Sequence, residues 1–539
     1  MLRIQRAIVT ALCALGSSLV ASTPDLRNAP ATCDSLATLT LPHVTITTAQ
    51  ALAAGSFTPP GGRAINNLPA FCRVAGSITP SADSTIRFEV WMPAAGWNGK
   101  LQGIGNGGFA GAIDFTALGG FIARGYAAAA TDTGHQAGTT DAAWALGHPE
   151  KVVDFGYRAI HETAVTARAI VAAFYGNGPR HAYFDSCSNG GRQALMEAQR
   201  YPEDYDGLVA GAPANYWTHL LTAAIWDLQA VQNPAARLLP AKVATIEAAT
   251  LAACDAQDGV TDGVIDNPAR CRFDPATLLC KGAESDACLT APQIDALKKL
   301  YSGPVTSGGV VLFPGHAVGG ASGGNGWTAW VTGNATGART VGASFGIGFF
   351  ANMVFESAMW TPMAFDAERD AKTADNELAA TLNATSADLG RFARRGGKLL
   401  LYHGWSDPAI SPMNSIDYYN AVVAKTGTTT AEKMLRLFMV PGLQHCSGGP
   451  GPNEFGQTNR AQPDSEHDIN LALERWVEQG MAPAHIIATL YAGGAGGANT
   501  VTRTRPLCPY PQVAKWKGAG STDDAANFTC AAEPPARGR

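Results

Sequence analysis

The segment Ser186-Cys187-Ser188-Asn189-Gly190-Gly191 sets a hydroxyl residue in a turn between an apolar run and a helix-patterned one. A serine on a tight strand-to-helix turn projects its Oγ clear of the backbone, where it can attack a carbonyl. Such a turn crowds the positions two before and two after the serine. Gly190 meets that demand on one side, and Ser186 stands where glycine is usual on the other. The first turn of the following helix aims N–H groups at the same place and favours an oxyanion. A serine on a strand-to-helix turn of this kind takes its acid and then its histidine from further along the chain. Asp407 follows the run Gly397–His403, and His445 follows Met434–Val440. In this reading His445 takes the Ser188 proton, and Asp407 fixes the imidazole tautomer and stabilises its charged form. His403 is the rival base. It precedes Asp407 and breaks the usual order, so it is assigned to the substrate pocket, as is Ile410.

The chain has eleven cysteines, one of which, Cys13, falls in the leading segment. An even remainder suits a disulfide framework. Proximity pairs Cys33 with Cys72, Cys254 with Cys271, Cys280 with Cys288 and Cys508 with Cys530. Cys187 and Cys446 are left over, one beside Ser188 and one beside His445. If serine and histidine meet, these two sulfurs meet too, and a bridge between them would pin nucleophile to base. Two alternatives stay open here: free thiols, or Cys187 as a thiolate nucleophile with Cys446 unpaired.

Cys254-Asp-Ala-Gln-Asp-Gly-Val-Thr-Asp-Gly-Val-Ile-Asp-Asn267 gathers four Asp within twelve residues. Hard cations take mixed carboxylate and carbonyl oxygens in such loops. It is not an EF-hand: with Asp258 as the first position, Ala269 stands where the closing Glu belongs. A solvated acidic turn closed by Cys254–Cys271 is the alternative.

Alternating strand and helix patterns must position these groups. Residues 85–93, 125–132, 181–186 and 206–213 read as strands, 99–108 as a short strand running into a glycine loop, and 157–175 and 190–201 as helices. After a lapse from about 217 to 376, strand patterns return at 397–403 and 434–440, with helices at 416–425 and 468–479. This predicts an α/β fold with a parallel sheet and crossover helices. The domains expected are a signal peptide over 1–22, a core over 23–216, an inserted lid over 217–380 and a second core part over 381–539. Arg3 and Arg6 followed by the apolar run Ala7–Ala21 give the export signal, hence a secreted or periplasmic location. Of 539 residues, 46% are hydrophobic and 15% charged, and the net charge is −5. That balance argues against a nucleic-acid partner, and 11 Trp, 13 Tyr and 20 Phe argue against disorder. No later stretch is long and apolar enough for a membrane helix.

Together, Cys187-Ser188, Asp407 and His445-Cys446 resemble the tannase and feruloyl esterase family. Further likeness lies in Gly103-Ile-Gly-Asn-Gly-Gly-Phe109, Ala130-Thr-Asp-Thr-Gly-His135, Tyr205-Asp-Gly-Leu-Val-Ala-Gly-Ala-Pro213 and Arg503-Thr-Arg-Pro-Leu-Cys-Pro-Tyr-Pro511. The resemblance implies an α/β-hydrolase core with a large inserted lid. It implies oxyanion donors at the backbone N–H of Asn189 and at one near Asn106 or Gly107. It also implies a structural Ca2+ in the lid, held by the side chains of Asp255, Asp258 and Asp262 and the carbonyls of Val260 and Val264, with no organic cofactor. The partner implied is a small aromatic ester of a hydroxycinnamic or gallic acid. Terephthalate monoesters rank lower, because Arg339 is the sole Lys or Arg between Tyr301 and Glu368 and their carboxylate wants an Arg fork. Phe345, Phe349, Phe350, Met353, Phe355, Met359 and Trp360 could line an aromatic pocket or fill a helical core. A different class, a catalytically silent secreted protein binding calcium or carbohydrate, would need a broken triad.

Overall fold

The computed structural model describes residues 30–533 except 335, 338, 459 and 494–498. The expected signal peptide, residues 1–22, lies outside the described residues. One nine-stranded sheet organises the molecule. Its strands are β1 (Val44–Leu52), β2 (Phe71–Ile78), β3 (Ile86–Pro93), β4 (Lys100–Ile104), β5 (Ala127–Thr131), β6 (His181–Cys187), β7 (Gly207–Gly211), β8 (Lys398–Gly404) and β9 (Leu435–Val440). The spatial order is β1-β2-β3-β5-β4-β6-β7-β8-β9. Pairing is antiparallel from β1 to β5 and parallel from β5 through to β9.

The parallel strands are short and mostly apolar, as suits strands covered on both faces. β5 is four alanines and a threonine, and β7 is Gly-Leu-Val-Ala-Gly, all buried. The covering helices include α1 (Ala159–Tyr175), α2 (Asn189–Arg200), α8 (Pro412–Thr426) and α9 (Ile469–Gln479). Their apolar faces make two buried clusters, one on each side of the sheet.

Between β7 and β8 no strand of this sheet occurs among the described residues. That interval carries α3 (Trp217–Val231), α4 (Pro240–Cys254), α5 (Ala291–Ser302), α6 (Val341–Phe349) and α7 (Ala367–Leu382), with two apolar clusters of its own. The chain then returns to the sheet. After α9 it ends in two hairpins, β10 (Ile486–Tyr491) with β11 (Val501–Leu507) and β12 (Gln512–Trp516) with β13 (Phe528–Ala532). Register brings Cys187 beside Gly211, Gly211 beside Tyr402, and Gly404 beside Val440. The carboxyl ends of β6, β8 and β9 are therefore neighbours, and open α/β sheets put their sites at such ends.

Candidate active site

Ser188 follows β6 directly and precedes α2. Its backbone sits at φ 64°, ψ −124°, the strained turn expected of an exposed nucleophile. The local sequence permits this because a Cβ on Gly190 would lie 1.8 Å from Ser186 Oγ, and one on Gly191 would lie 2.4 Å from the Gly211 carbonyl oxygen. Ser186 is tolerated at its own position because Gly190 leaves room for its hydroxyl.

The chain segments after β8 and β9 bring the acid and the histidine to this serine. His445 Nε2 lies 2.9 Å from Ser188 Oγ, and its Nδ1 lies 2.9 Å from Asp407 Oδ2. The other Asp407 oxygen accepts the N–H groups of Ala409 at 2.8 Å and Ile410 at 3.0 Å. Burial alone would raise the Asp407 pKa. The nearby His445, together with hydrogen bonds from His403 and His445, outweighs it and holds the carboxyl well below the usual carboxylate range. Asp407 is thus a buried carboxylate aimed at the imidazole.

All five expected disulfides are present: Cys33–Cys72, Cys187–Cys446, Cys254–Cys271, Cys280–Cys288 and Cys508–Cys530. The 187–446 bridge spans 259 residues of sequence and joins the neighbours of Ser188 and His445. Cys446 itself has φ 62°, so a strained residue stands on each side of the serine–histidine contact. With Cys187 bonded, a thiolate nucleophile at that position is excluded.

Two sequence assignments change. His403 does not line the pocket. It is fully buried, with Nδ1 2.7 Å from Ser415 Oγ and Nε2 3.2 Å from Asp407 Oδ2, and so braces the acid from behind. Its place on β8, side chain turned into the protein, decides this. The Asn106 N–H is not free for an oxyanion either, since it donates to Gln193 Oε1 at 3.0 Å. The Asn106 side chain anchors the glycine loop through the carbonyls of Ala112 and Thr131. The Gly107 N–H has no partner among the described residues, and a Cβ there would meet open space. Asn189 begins α2, next to Ser188.

Ser188 and His445 open into a cavity between the strand ends and the inserted helices. Its walls are mainly apolar and include Trp217, Leu221, Phe313, Trp330, Phe345 and Ile410. The Trp330 ring stands edge-on to His445 with centroids 5.0 Å apart. Of the insertion's aromatic and methionine run, only Phe345 reaches this wall. Phe349, Phe350, Met353, Phe355 and Trp360 pack in the helical core, and Met359 is exposed. Arg339 is exposed and is not among the residues that line the cavity, although its neighbour Thr340 is. Sequence reading missed Trp217, Phe313 and Trp330. The repeat Trp217, Leu220, Leu221, Ala224, Leu228 on α3 was the available signal, one helical face at spacings of three and four.

In the acidic loop, Asp255 accepts the N–H groups of Asp262 and Gly263, Asp258 that of Val260, and Asp262 that of Val264. Arg505 and Arg503 both pair with Asp262. Burial raises Asp258 and Asp262, and burial with repulsion from Asp258 pushes Asp266 up to about 7. The oxygen donors suit a hard cation. Yet among the described residues no three His, Cys, Asp or Glu side chains converge closely enough to hold a metal ion.

A family model described as tannase and feruloyl esterase matches residues 72–531. The chain belongs to that family. It is 43% identical to an uncharacterized esterase of Xanthomonas campestris pv. campestris, over 98% of this chain and 95% of the relative. It is 36% identical to the mono(2-hydroxyethyl) terephthalate hydrolase of Piscinibacter sakaiensis, over 87% and 86% respectively. The crystal structure of feruloyl esterase B from Aspergillus oryzae superposes with a TM-score of 0.85 at 27% identity, covering 93% of this chain and 99% of that one. The fold is thus the α/β-hydrolase core shared by the tannase and feruloyl esterase structures, and the protein is a carboxylic ester hydrolase of that family.

Proposed function

We propose that the chain is a secreted serine esterase cleaving esters of aromatic acids, feruloyl or galloyl in type, through an acyl-enzyme on Ser188. The observation that carries this reading is a single cavity that holds the Ser188–His445 pair and has tryptophan and phenylalanine walls. In the first half-reaction, Ser188 Oγ attacks the ester carbonyl and gives its proton to His445 Nε2. The oxyanion takes hydrogen bonds from the N–H groups of Asn189 and Gly107. The intermediate collapses, the C–O bond to the alcohol breaks, and His445 returns the proton to the departing oxygen. Water then repeats the sequence, and the free acid leaves. Asp407 stays ionised and keeps Nε2 of His445 unprotonated for the attack.

Terephthalate monoesters are the second reading, favoured by the 36% identical relative. Among the described residues lining the cavity there is no Lys or Arg to hold their free carboxylate, which argues for the first. A silent binding protein would have no need of the aligned triad. Five disulfides support an oxidising compartment. Sequencing the N-terminus of exported protein tests removal of the leading segment. For the acidic loop we propose structural calcium, supported by its crowded, raised carboxylates. Calcium would have to displace Arg505 from Asp262. A melting temperature unmoved by a calcium chelator would remove that proposal.

Hydrolysis of methyl ferulate, methyl gallate and a terephthalate monoester, with Ser188→Ala as control, tests the whole. Turnover of the terephthalate monoester alone would overturn the substrate assignment.

A further inference from the structure

One face of α3 runs the length of the cavity. Trp217, Leu220, Leu221 and Ala224 are its apolar part, and Asp227 is the next residue on the same face. The helix starts beside the nucleophile, since Ala214 N–H donates to the Ser188 carbonyl at 3.0 Å. Ten residues separate Trp217 from Asp227, roughly 15 Å along the helix axis. Asp227 therefore lies nearly three helical turns beyond Trp217 on the side of α3 that lines the cavity.

Asp227 is the only acidic residue among the described residues lining this cavity. Its Oδ2 lies 2.8 Å from His316 Nε2, and His316 lines the cavity too. The two side chains are 14% and 9% exposed, so neither is rinsed by bulk water. The second Asp227 oxygen accepts from no described residue and stays accessible from the cavity, whereas His316 Nδ1 is buried without a partner. An unmet carboxylate oxygen in an apolar cavity calls for a donor from whatever fills the space.

We propose that Asp227, braced by His316, is a specificity-determining residue that selects aromatic acyl groups carrying a hydroxyl at their distal end and rejects those carrying a carboxylate there. This rests on reading the cavity as an aromatic acyl pocket. A phenolic O–H donates to the free Asp227 oxygen. A methoxyl oxygen only accepts and leaves that oxygen unmet, and a second carboxylate brings like charge beside Asp227 where no Lys or Arg lines the cavity. The His316 N–H holds Asp227 in place, so His316 is a positioning residue. Sites built to bond a substrate hydroxyl discriminate strongly against analogues that lack it.

The test is the ratio of kcat/KM for methyl 4-hydroxycinnamate to that for methyl 4-methoxycinnamate. The expected ratio is about tenfold or more in the wild type and near unity in Asp227→Asn, with the change carried mainly by KM. His316→Gln, which keeps an N–H donor for Asp227, retains most of the wild-type ratio. Asp227→Asn also gains turnover of a terephthalate monoester relative to methyl cinnamate. A wild-type ratio near unity overturns the proposal even if Asp227→Asn does not fold, and so does an unchanged ratio in a folded Asp227→Asn. Turnover of 4-nitrophenyl acetate with none of any cinnamate would instead overturn the aromatic reading beneath it, and this proposal with it.

Discussion

The strand ends and the inserted helices face each other across one cavity, and they hold their side chains by different means. On the sheet side, register, two strained backbones and a disulfide fix three side chains at 2.9 Å contacts. On the helical side, Trp217, Phe313, Trp330 and Phe345 are held by packing among apolar clusters. Chemistry that fails when an atom shifts by an ångström needs the first kind of support. Recognition of an apolar ring tolerates the second, because burial is proportional to area and carries no direction. The sheet side should thus be intolerant of change, and the helical side graded.

The sharpest break of that contrast is at the nucleophile. Ser188→Ala is expected to lower kcat by about 10,000-fold or more while leaving the melting temperature within about 2 °C of the wild type. Residual turnover within tenfold of the wild type would mean that another group attacks the ester.

Next in size is the bridge beside the triad. Replacing Cys187 and Cys446 together by alanine frees His445 from Ser188 and is expected to cost roughly 10- to 100-fold in kcat. Stability falls by about 2–5 kcal/mol, the range for native disulfides. The same change at Cys280 and Cys288, which close a loop of only eight residues of separation in the insertion, should leave kcat as it was. Equal losses at both bridges would show that the 187–446 bond serves stability alone.

A helical wall should behave more mildly. Phe345→Ala is expected to lower kcat/KM for methyl ferulate about tenfold, and much less for a short acetyl ester that does not reach the wall. A parallel loss on both substrates would place its effect on the triad instead.

This contrast also explains what could be read from the sequence. The elbow, the acid and the histidine were legible because a nucleophile on a tight turn needs small neighbours, and because strands buried on both faces are short apolar runs. Strands expected at 181–186 and 434–440 differ from β6 and β9 by one residue at one end, and that at 397–403 from β8 by one residue at each end. β1, β2 and the C-terminal hairpins were not foreseen. β1 alternates half-buried and exposed positions rich in threonine, and it owes its place to pairing with β2 rather than to a pattern of its own. The pocket walls were illegible for a related reason. Phe345 and Phe349 lie one turn apart on α6, yet one meets the cavity and the other the core, and only the packing of α3 against α6 decides which. His403 was misjudged because its distance from Asp407 along the chain says nothing of which face of β8 it occupies.

Two buried carboxyls titrate in opposite senses. Asp407 is held low by its histidines, so it contributes stability above its unfolded pKa, and that contribution is lost as pH falls through the folded value. Glu197, on α2 beneath the elbow, is buried with both oxygens lacking a hydrogen-bond partner among the described residues. Burial, and then the neighbouring Asp204, raise its pKa well above the usual range. Folded Glu197 keeps a proton that the unfolded chain releases above about pH 4.3. Its contribution is therefore complete below that pH and declines as pH rises toward the folded value, by up to about 1.4 kcal/mol per unit. Glu197→Gln cannot titrate. The stability difference between wild type and variant, from urea unfolding at pH 4 to 8, should move steadily in the variant's favour as pH rises. A difference that stays flat across that range would mean Glu197 is ionised in the folded protein, and that Asp204 or the nearby His161 carries its proton.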